Sequence, residues 1–325
     1  MSFAKKFKGE SICAAEDLLA GTELYAMLRV EESRNAGRRL VGFEIWNNPL
    51  VSGGREAREI IFGHFRLSPG NPELEMLRRI VECYSNLPYE NLTKIIKKFT
   101  AGSAEERLRG PVEVASGYVE RHTGGTCFSL TYCLGSILAG AGYRCHPVMA
   151  DMKRPNIHCA LVVEMNERRY LVDPGYLVGE PVELAGKPVR METAFGVVEI
   201  RPREGERYDL FTLEGETRKW RYTVRTTPVS HAAFMRYWQD SFSLPMMNNL
   251  LLTRLTPQGH LYIKNHHLRM KSAHGKVNEN IRNALESRIE ADFGIPADVT
   301  AQAREHLERL RLSWRTREAA GLEGA

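Results

Sequence analysis

The chain has 325 residues, 43% hydrophobic, 26% charged and 9% aromatic, a globular composition that excludes disorder over most of its length. That length predicts two or three packed units and supplies ample apolar material for a core. Lysine and arginine exceed aspartate and glutamate by 45 to 40, a net charge of +5, which suits an anionic small molecule as well as a weak nucleic-acid contact and singles out neither.

The first 58 residues are mixed: Ala14–Val30 reads as a helix and Leu40–Trp46 as a short strand, with a break at Gly53-Gly54. From there to about residue 142 the pattern is helical. Pro72 opens Glu73–Tyr84, where Leu74, Leu77, Ile80, Val81 and Tyr84 form an amphipathic stripe. A second helix is expected over Pro111–His122, with Val112, Ala115 and Val119 on one side. After Gly124-Gly125, Cys127–Ala141 is apolar on nearly all sides, which marks a core helix. Its stop lies at Gly140-Ala141-Gly142, since glycine ends helices readily.

From residue 143 the period changes to two. Tyr143–Met149, Ile157–Met165, Tyr170–Asp173, Phe195–Arg201, Tyr208–Leu213 and Trp220–Val224 read as strands. A helix near 230–240 follows, then a hairpin of Asn248–Arg254 and His260–Ile263 about Pro257-Gln258-Gly259. Asn278–Phe293 is expected as an amphipathic helix carrying Ile281, Leu285, Ile289 and Phe293, and 300–325 as a charged helical tail that frays.

No apolar run approaches the ~20 residues of a membrane helix. The positive start at Lys5, Lys6 and Lys8 leads into no apolar signal stretch, so a cytoplasmic setting without a membrane partner is expected. The six cysteines, Cys13, Cys83, Cys127, Cys133, Cys145 and Cys159, are too sparse for a disulfide scaffold. They form no C-x-x-C, so no metal site is expected. Lys264–Lys276 is basic but has no aromatic to stack bases, and reads as a solvated hairpin rather than a nucleic-acid site.

Three residues carry chemistry in combination. Cys127 follows Thr123-Gly124-Gly125-Thr126 at the start of the core helix, where unpaired N–H groups and the helix dipole favour a thiolate. Taken alone, it reads equally well as a buried core cysteine. An even-numbered hairpin loop at Asn166-Glu167 makes facing residue numbers sum to about 333, so that Ala160 opposes Asp173. His158 then shares a face with Asp173 on the diagonal, within reach of a hydrogen bond. A thiol, an imidazole and a carboxylate in that relation form an activated nucleophile. His122, His146, His266, His267, Cys133 and Cys159 lack such context and read as structural.

The order Leu87-Pro88-Tyr89-Glu90-Asn91-Leu92, Gly124-Gly125-Thr126-Cys127-Phe128, His158 and Tyr170-Leu171-Val172-Asp173-Pro174-Gly175-Tyr176 resembles the arylamine N-acetyltransferase family. That family shows P-F-E-N-L, R-G-G-x-C-F-E, a strand histidine and D-V-G-F. The similarity runs from about residue 60 to 295, more loosely around Leu244-Pro245 and Thr256-Pro257-Gln258-Gly259. It implies an α+β fold with a helical region (59–142) bearing Cys127, an antiparallel β-barrel (143–228) bearing His158 and Asp173, and an α/β lid (229–300). An N-terminal extension (1–58) and a charged tail (301–325) flank these.

The resemblance further implies ping-pong acyl transfer from acetyl-CoA or another acyl-CoA, as cosubstrate rather than resident cofactor, to a small-molecule amine. Gly124, Gly125, Thr126, Phe128, Gly175 and Tyr176 are the implied binding residues, and the lid places Lys271 near the cofactor phosphates. The chain departs from the family at Thr123 and Ser129, where the pattern has arginine and glutamate, and also at Thr126 and Thr131. Losing both members of an ion pair strands no charge, which points to a reorganised site. Two alternatives stay open: an enzyme that keeps the triad but runs another reaction, as an amide synthase acting on a carrier-bound acyl chain or a hydrolase of the transglutaminase-like kind that shares the Cys-His-Asp order, and a catalytically inactive binding homologue.

Overall fold

The computed structural model describes residues 53–319 apart from 177, 194–195, 216 and 273. The expected helix Ala14–Val30, the expected strand Leu40–Trp46 and Cys13 lie outside the described residues.

The helical part comprises α1 (Gly54–Phe65), α2 (Leu74–Tyr84), α3 (Leu92–Thr100), α4 (Pro111–Arg121) and α5 (Cys127–Gly140). Every residue from Cys127 to Leu138 is buried, so α5 is the axis of this core, as its unbroken apolar sequence requires. Phe128 and Tyr132 pack against Phe234 and Trp238 of α6 (His231–Asp240), Phe128 stacked on Trp238 and Tyr132 on Phe234. Burying each of these large side chains contributes roughly 1.5–3 kcal/mol. The buried face of α4 is Pro111, Val114, Ala115 and Tyr118, which corrects the expected Val112–Ala115–Val119 face. The true set follows the i, i+3, i+4, i+7 rule, whereas Val119 is 37% exposed.

Eight antiparallel strands form a nearly closed barrel in the order β5-β4-β3-β2-β9-β8-β7-β6. They are β2 (Arg144–Asp151), β3 (His158–Met165), β4 (Arg168–Val172), β5 (Val182–Glu183), β6 (Val189–Thr193), β7 (Gly196–Arg203), β8 (Arg207–Glu214) and β9 (Thr217–Arg225). Strand alternation divides them between two cores. Val148, Ala160, Val162, Leu171, Leu210 and Tyr222 fill the barrel, while Cys159, Leu161, Val163 and Val172 pack towards α5.

A second antiparallel sheet runs β1 (Tyr89–Glu90), β10 (Leu251–Thr256), β11 (Gly259–Lys264), β12 (His267–Ser272) and β13 (Gly275–Asn280). Leu252, Ile263 and Leu268 on one face join Ile289 and Phe293 of α7 (Leu285–Phe293), Leu307 of α8 (Ala297–Ala319) and Ile95 of α3. Two sequence expectations change here. Asn278–Phe293 is not one helix: β13 extends to Asn280, a 3-10 turn covers Arg282–Ala284, and only then does α7 begin. The four-residue spacing of Ile281, Leu285, Ile289 and Phe293, all buried, imitates a helical stripe across that boundary. Lys264–Lys276 does turn back on itself through β12, but it is not simply solvated: Leu268 is buried and Arg269 and Lys271 are half-buried. Among the described residues no helix is long and apolar enough to cross a membrane.

Candidate active site

The backbone reaches Cys127 through a tight passage. Tyr89 bridges to Gly125, the Glu90 N–H donates to Gly125 O at 2.9 Å, and the Gly125 N–H donates to Pro88 O at 3.3 Å. A Cβ on Gly124 would stand 1.8 Å from Pro88 O, so only glycine lets these segments lie together. Thr126 is the N-cap of α5 in extended backbone and makes no side-chain cap bond. The first N–H groups of the helix therefore lack both an intrahelical acceptor and a hydroxyl cap.

His158 and Asp173 meet at one end of the barrel interior. The β3–β4 register pairs Leu161 with Val172 and Val162 with Leu171, so facing numbers sum to 333 as the hairpin parity required. The two-residue turn is Asn166-Glu167, both at positive φ (49° and 61°), the geometry of a type I′ hairpin. His158 Nε2 donates to Asp173 Oδ2 at 2.8 Å. A carboxylate only accepts, so Nε2 carries the proton and Nδ1 is left for the sulfur. The other carboxylate oxygen accepts the Tyr176 N–H at 2.9 Å.

Gly175, in the turn that follows Asp173, lies over the nucleophile. A Cβ there would be 2.5 Å from Cys127 Cβ and 3.1 Å from His158 Cε1. Cys127 is 6% exposed and His158 3%. The Cys159 thiol donates a hydrogen bond to the Cys127 sulfur, which lowers that thiol most; burial opposes this, and His158 adds to the lowering. Cys127 thus sits well below its ordinary 9.0. Burial pulls His158 down, but the Asp173 charge and hydrogen bond, then Cys127, raise it to about 10. The arrangement favours a thiolate–imidazolium pair at neutral pH.

These groups open onto a cavity of about 520 Å³ between the barrel and the second sheet. Near the nucleophile its wall is Tyr89, Met152, Ile157, Gly175, Tyr176 and Met246; further out it carries Lys219, Arg221, Arg269, Lys271 and Lys276. Strand register explains the cations, since Lys271 opposes Lys276 across β12–β13 and His260 across β11–β12. Arg269 stands two residues earlier on the same face, over the Tyr262 ring at 4.8 Å. Burial and the charges of Arg269, Lys271 and Arg221 push His260 down to about 4. Among the described residues no group of three or more His, Cys, Asp or Glu is arranged to hold a metal ion.

Of the residues singled out in the sequence, Cys127, His158, Gly175 and Tyr176 line the cavity, and Asp173 is fully buried behind His158. Gly124, Gly125, Thr126 and Phe128 lie behind Cys127, the glycines against Pro88 and Ser129, and Phe128 within the α5–α6 core. Cys133 is buried in the core, His122 caps the end of α4, and His146 meets Thr226 O at 3.2 Å. Cys159 faces the α5 side of β3, as alternation required, yet from there it reaches the Cys127 sulfur.

Three further groups escaped sequence reasoning. Tyr222 donates its hydroxyl to Asp173 Oδ2 at 2.6 Å. Lys94, 5% exposed, donates to Ser241 Oγ at 2.5 Å and lies 4.6 Å from the Phe242 ring centroid. Burial lowers it to about 8, and its charge favours the Cys127 thiolate. Arg109 is the third, donating to Gly124 O at 2.6 Å. Strand alternation places Tyr222 inside the barrel, but no local signal joins any of the three to its partner.

The N-acetyltransferase family model matches residues 73–301, well over half of the chain. No curated protein matches the chain in sequence. Among solved structures, the arylamine N-acetyltransferase from Mycobacterium abscessus is 18% identical, with 79% of this chain and 98% of that one covered and a TM-score of 0.67. The Mycobacterium marinum arylamine N-acetyltransferase in complex with CoA is 19% identical, with 76% and 97% covered and a TM-score of 0.64. The Bacillus cereus arylamine N-acetyltransferase (BACCR)NAT3, described as having a unique Cys-His-Glu catalytic triad, is 20% identical, with 74% and 99% covered and a TM-score of 0.61. At such identities the likeness establishes a shared fold.

Proposed function

We propose that this chain, which belongs to the arylamine N-acetyltransferase family, moves an acyl group from an acyl-CoA, through a thioester on Cys127, to a small-molecule amine. The carrying observation is the 2.8 Å bond from His158 Nε2 to Asp173 Oδ2, with the Cys127 sulfur on the other side of the imidazole. Cys127 thiolate attacks the thioester carbonyl, and His158, held protonated, delivers its proton to the departing CoA sulfur. In the second half, neutral His158 takes a proton from the attacking amine, and the tetrahedral intermediate collapses to amide and Cys127 thiolate. Asp173 fixes the imidazole tautomer and stabilises its charged form throughout. The oxyanion of each intermediate falls near the start of α5, where the Cys127 N–H is the natural donor.

The cavity supports the choice of donor. Lys219, Arg221, Arg269, Lys271 and Lys276 on its wall suit the phosphates of a CoA thioester, and the apolar wall beside Cys127 suits a short acyl group and an aromatic amine. The relative in complex with CoA supports the same class. The deciding experiment is intact-mass analysis after exposure to a panel of acyl-CoAs. A single acyl adduct in the wild type, absent from Cys127→Ala, is expected. No adduct from any acyl-CoA, with turnover of an acylated carrier protein instead, overturns the acyl-CoA assignment. Lys271→Ala is expected to raise the Michaelis constant for the acyl-CoA and leave that for the amine unchanged.

A further inference from the structure

We infer that Arg109 is a positioning residue for acyl transfer: it holds the Gly-Gly passage in the one orientation that presents the first N–H groups of α5 to the reacting carbonyl. The inference rests on the reading of Cys127 as the acyl-accepting nucleophile.

Arg109 lies in the connection between α3 and α4 and is 6% exposed. All three nitrogens are engaged. Nη1 donates to Gly124 O at 2.6 Å and to Thr93 Oγ1 at 3.0 Å, and lies 3.7 Å from Glu90 Oε1. Nε donates to Glu113 Oε1 at 3.3 Å, and Nη2 to Glu113 O at 3.1 Å. Glu90, fully buried, also accepts the Thr93 hydroxyl at 2.6 Å and the Thr93 N–H at 3.0 Å. An arginine present only to neutralise Glu90 would need no bond to Gly124. That bond is the shortest of the set.

Its value follows from glycine. Two successive residues without Cβ leave their peptide planes free to rotate at little cost, and here only Thr126 separates them from the nucleophile. Both carbonyls are held: Gly124 O by Arg109, and Gly125 O by the Glu90 N–H at 2.9 Å. Because a trans peptide is planar, fixing Gly125 O also fixes the Thr126 N–H, and hence the chain's entry into α5. Glu90 and Arg109 are paired with one another, so the two clamps form one unit.

The cation comes from an unexpected segment. Thr123 stands where the resembled block carries arginine. A Cβ on Gly117 would lie 2.7 Å from Arg109 Nη2 and 2.8 Å from Thr123 Oγ1. The guanidinium therefore occupies the space beside Thr123, and Gly117 makes room for it.

The test compares two reactions of one thiol in the full chain: single-turnover acylation of Cys127 by acetyl-CoA, read by intact mass, and alkylation by iodoacetamide across pH. Alkylation needs the thiolate but no oxyanion donor, so it controls for nucleophile ionisation. Arg109→Lys keeps the charge opposite Glu90 and loses the planar fork. Acylation is expected to slow by about 10- to 100-fold, with alkylation rate and midpoint unchanged. Equal slowing of both reactions, or of neither, overturns the inference. Should Arg109→Lys fail to fold, Glu90→Gln/Arg109→Met removes both charges together and is held to the same split. A wild-type chain that forms no adduct sinks the reading of Cys127 itself, and the inference with it, before any variant is made.

Discussion

His158 transmits the charge of a carboxylate that Cys127 never touches. Asp173 holds one ring nitrogen at 2.8 Å, and the sulfur takes the field of the resulting imidazolium on the other side. Asp173→Asn keeps the size but turns an acceptor-only group into a donor, so the ring loses both its tautomer and its charge balance. Turnover is expected to fall by roughly 10³–10⁴-fold with the fold intact, measured as steady-state rate beside a circular dichroism spectrum. The pH dependence has a definite sign. With Cys127 lowered and His158 raised to about 10, the thiolate–imidazolium pair persists from the depressed thiol value up to about pH 10. Alkylation of Cys127 is therefore expected to be on its plateau at neutral pH. In His158→Gln the midpoint should climb towards the ordinary 9.0, although the Cys159 hydrogen bond remains; an unmoved midpoint would remove His158 from the site. His158 and Asp173 were legible because period-two alternation and an even turn fix which side chains share a face. Tyr222 and Lys94 were not, because each meets its partner across a long stretch of chain, and Arg109 was not, because it lies in an irregular connection with no period to aim its side chain.

The Gly-Gly passage and α5 act as one element. Gly124→Ala drives a Cβ against Pro88 O, a backbone atom that cannot swing aside. A loss of about 1–3 kcal/mol is expected by denaturant unfolding, and acyl transfer should fall with it. Gly63 gives the opposite sign. It is exposed in α1 with nothing within 4 Å of an added Cβ, so Gly63→Ala should stabilise by about 0.5–1 kcal/mol. Long elements with one strong period, such as α2 and α5, were plain in the sequence. Misreadings fell where two periods compete: Ile281 to Phe293 keep a four-residue spacing while the chain passes from strand through 3-10 turn to helix. In β12, charged residues alternate with Leu268 and Met270, and Arg269 and Lys271 face a cavity wall that composition had assigned to solvent.

At the scale of the molecule, the cavity lies between the barrel and the second sheet, and the helical part anchors that sheet. Asn91 is one suture. Its side chain donates to Met246 O at 3.3 Å and Asn249 O at 2.8 Å, and accepts the Leu251 N–H at 2.8 Å. Asn91→Asp replaces the two donors with oxygen facing two carbonyls, and a loss of about 1–3 kcal/mol is expected in thermal or chemical unfolding. A weakened grip on the acyl-CoA should accompany it, read as a raised Michaelis constant. The ordered blocks around Glu90-Asn91, Cys127, His158 and Asp173 determined the family and nominated the nucleophile, base and carboxylate, because those signals are local: a helix start, a strand face, a turn. What surrounds the sulfur was decided only by the tertiary fold. Arg109 beside Gly124, Cys159 and Lys94 around Cys127, Tyr222 on Asp173 and the cations of two sheets along one cavity all depend on contacts between separate elements that no shared period or regular turn links, and neither periodicity nor spacing encodes which of those side chains will meet.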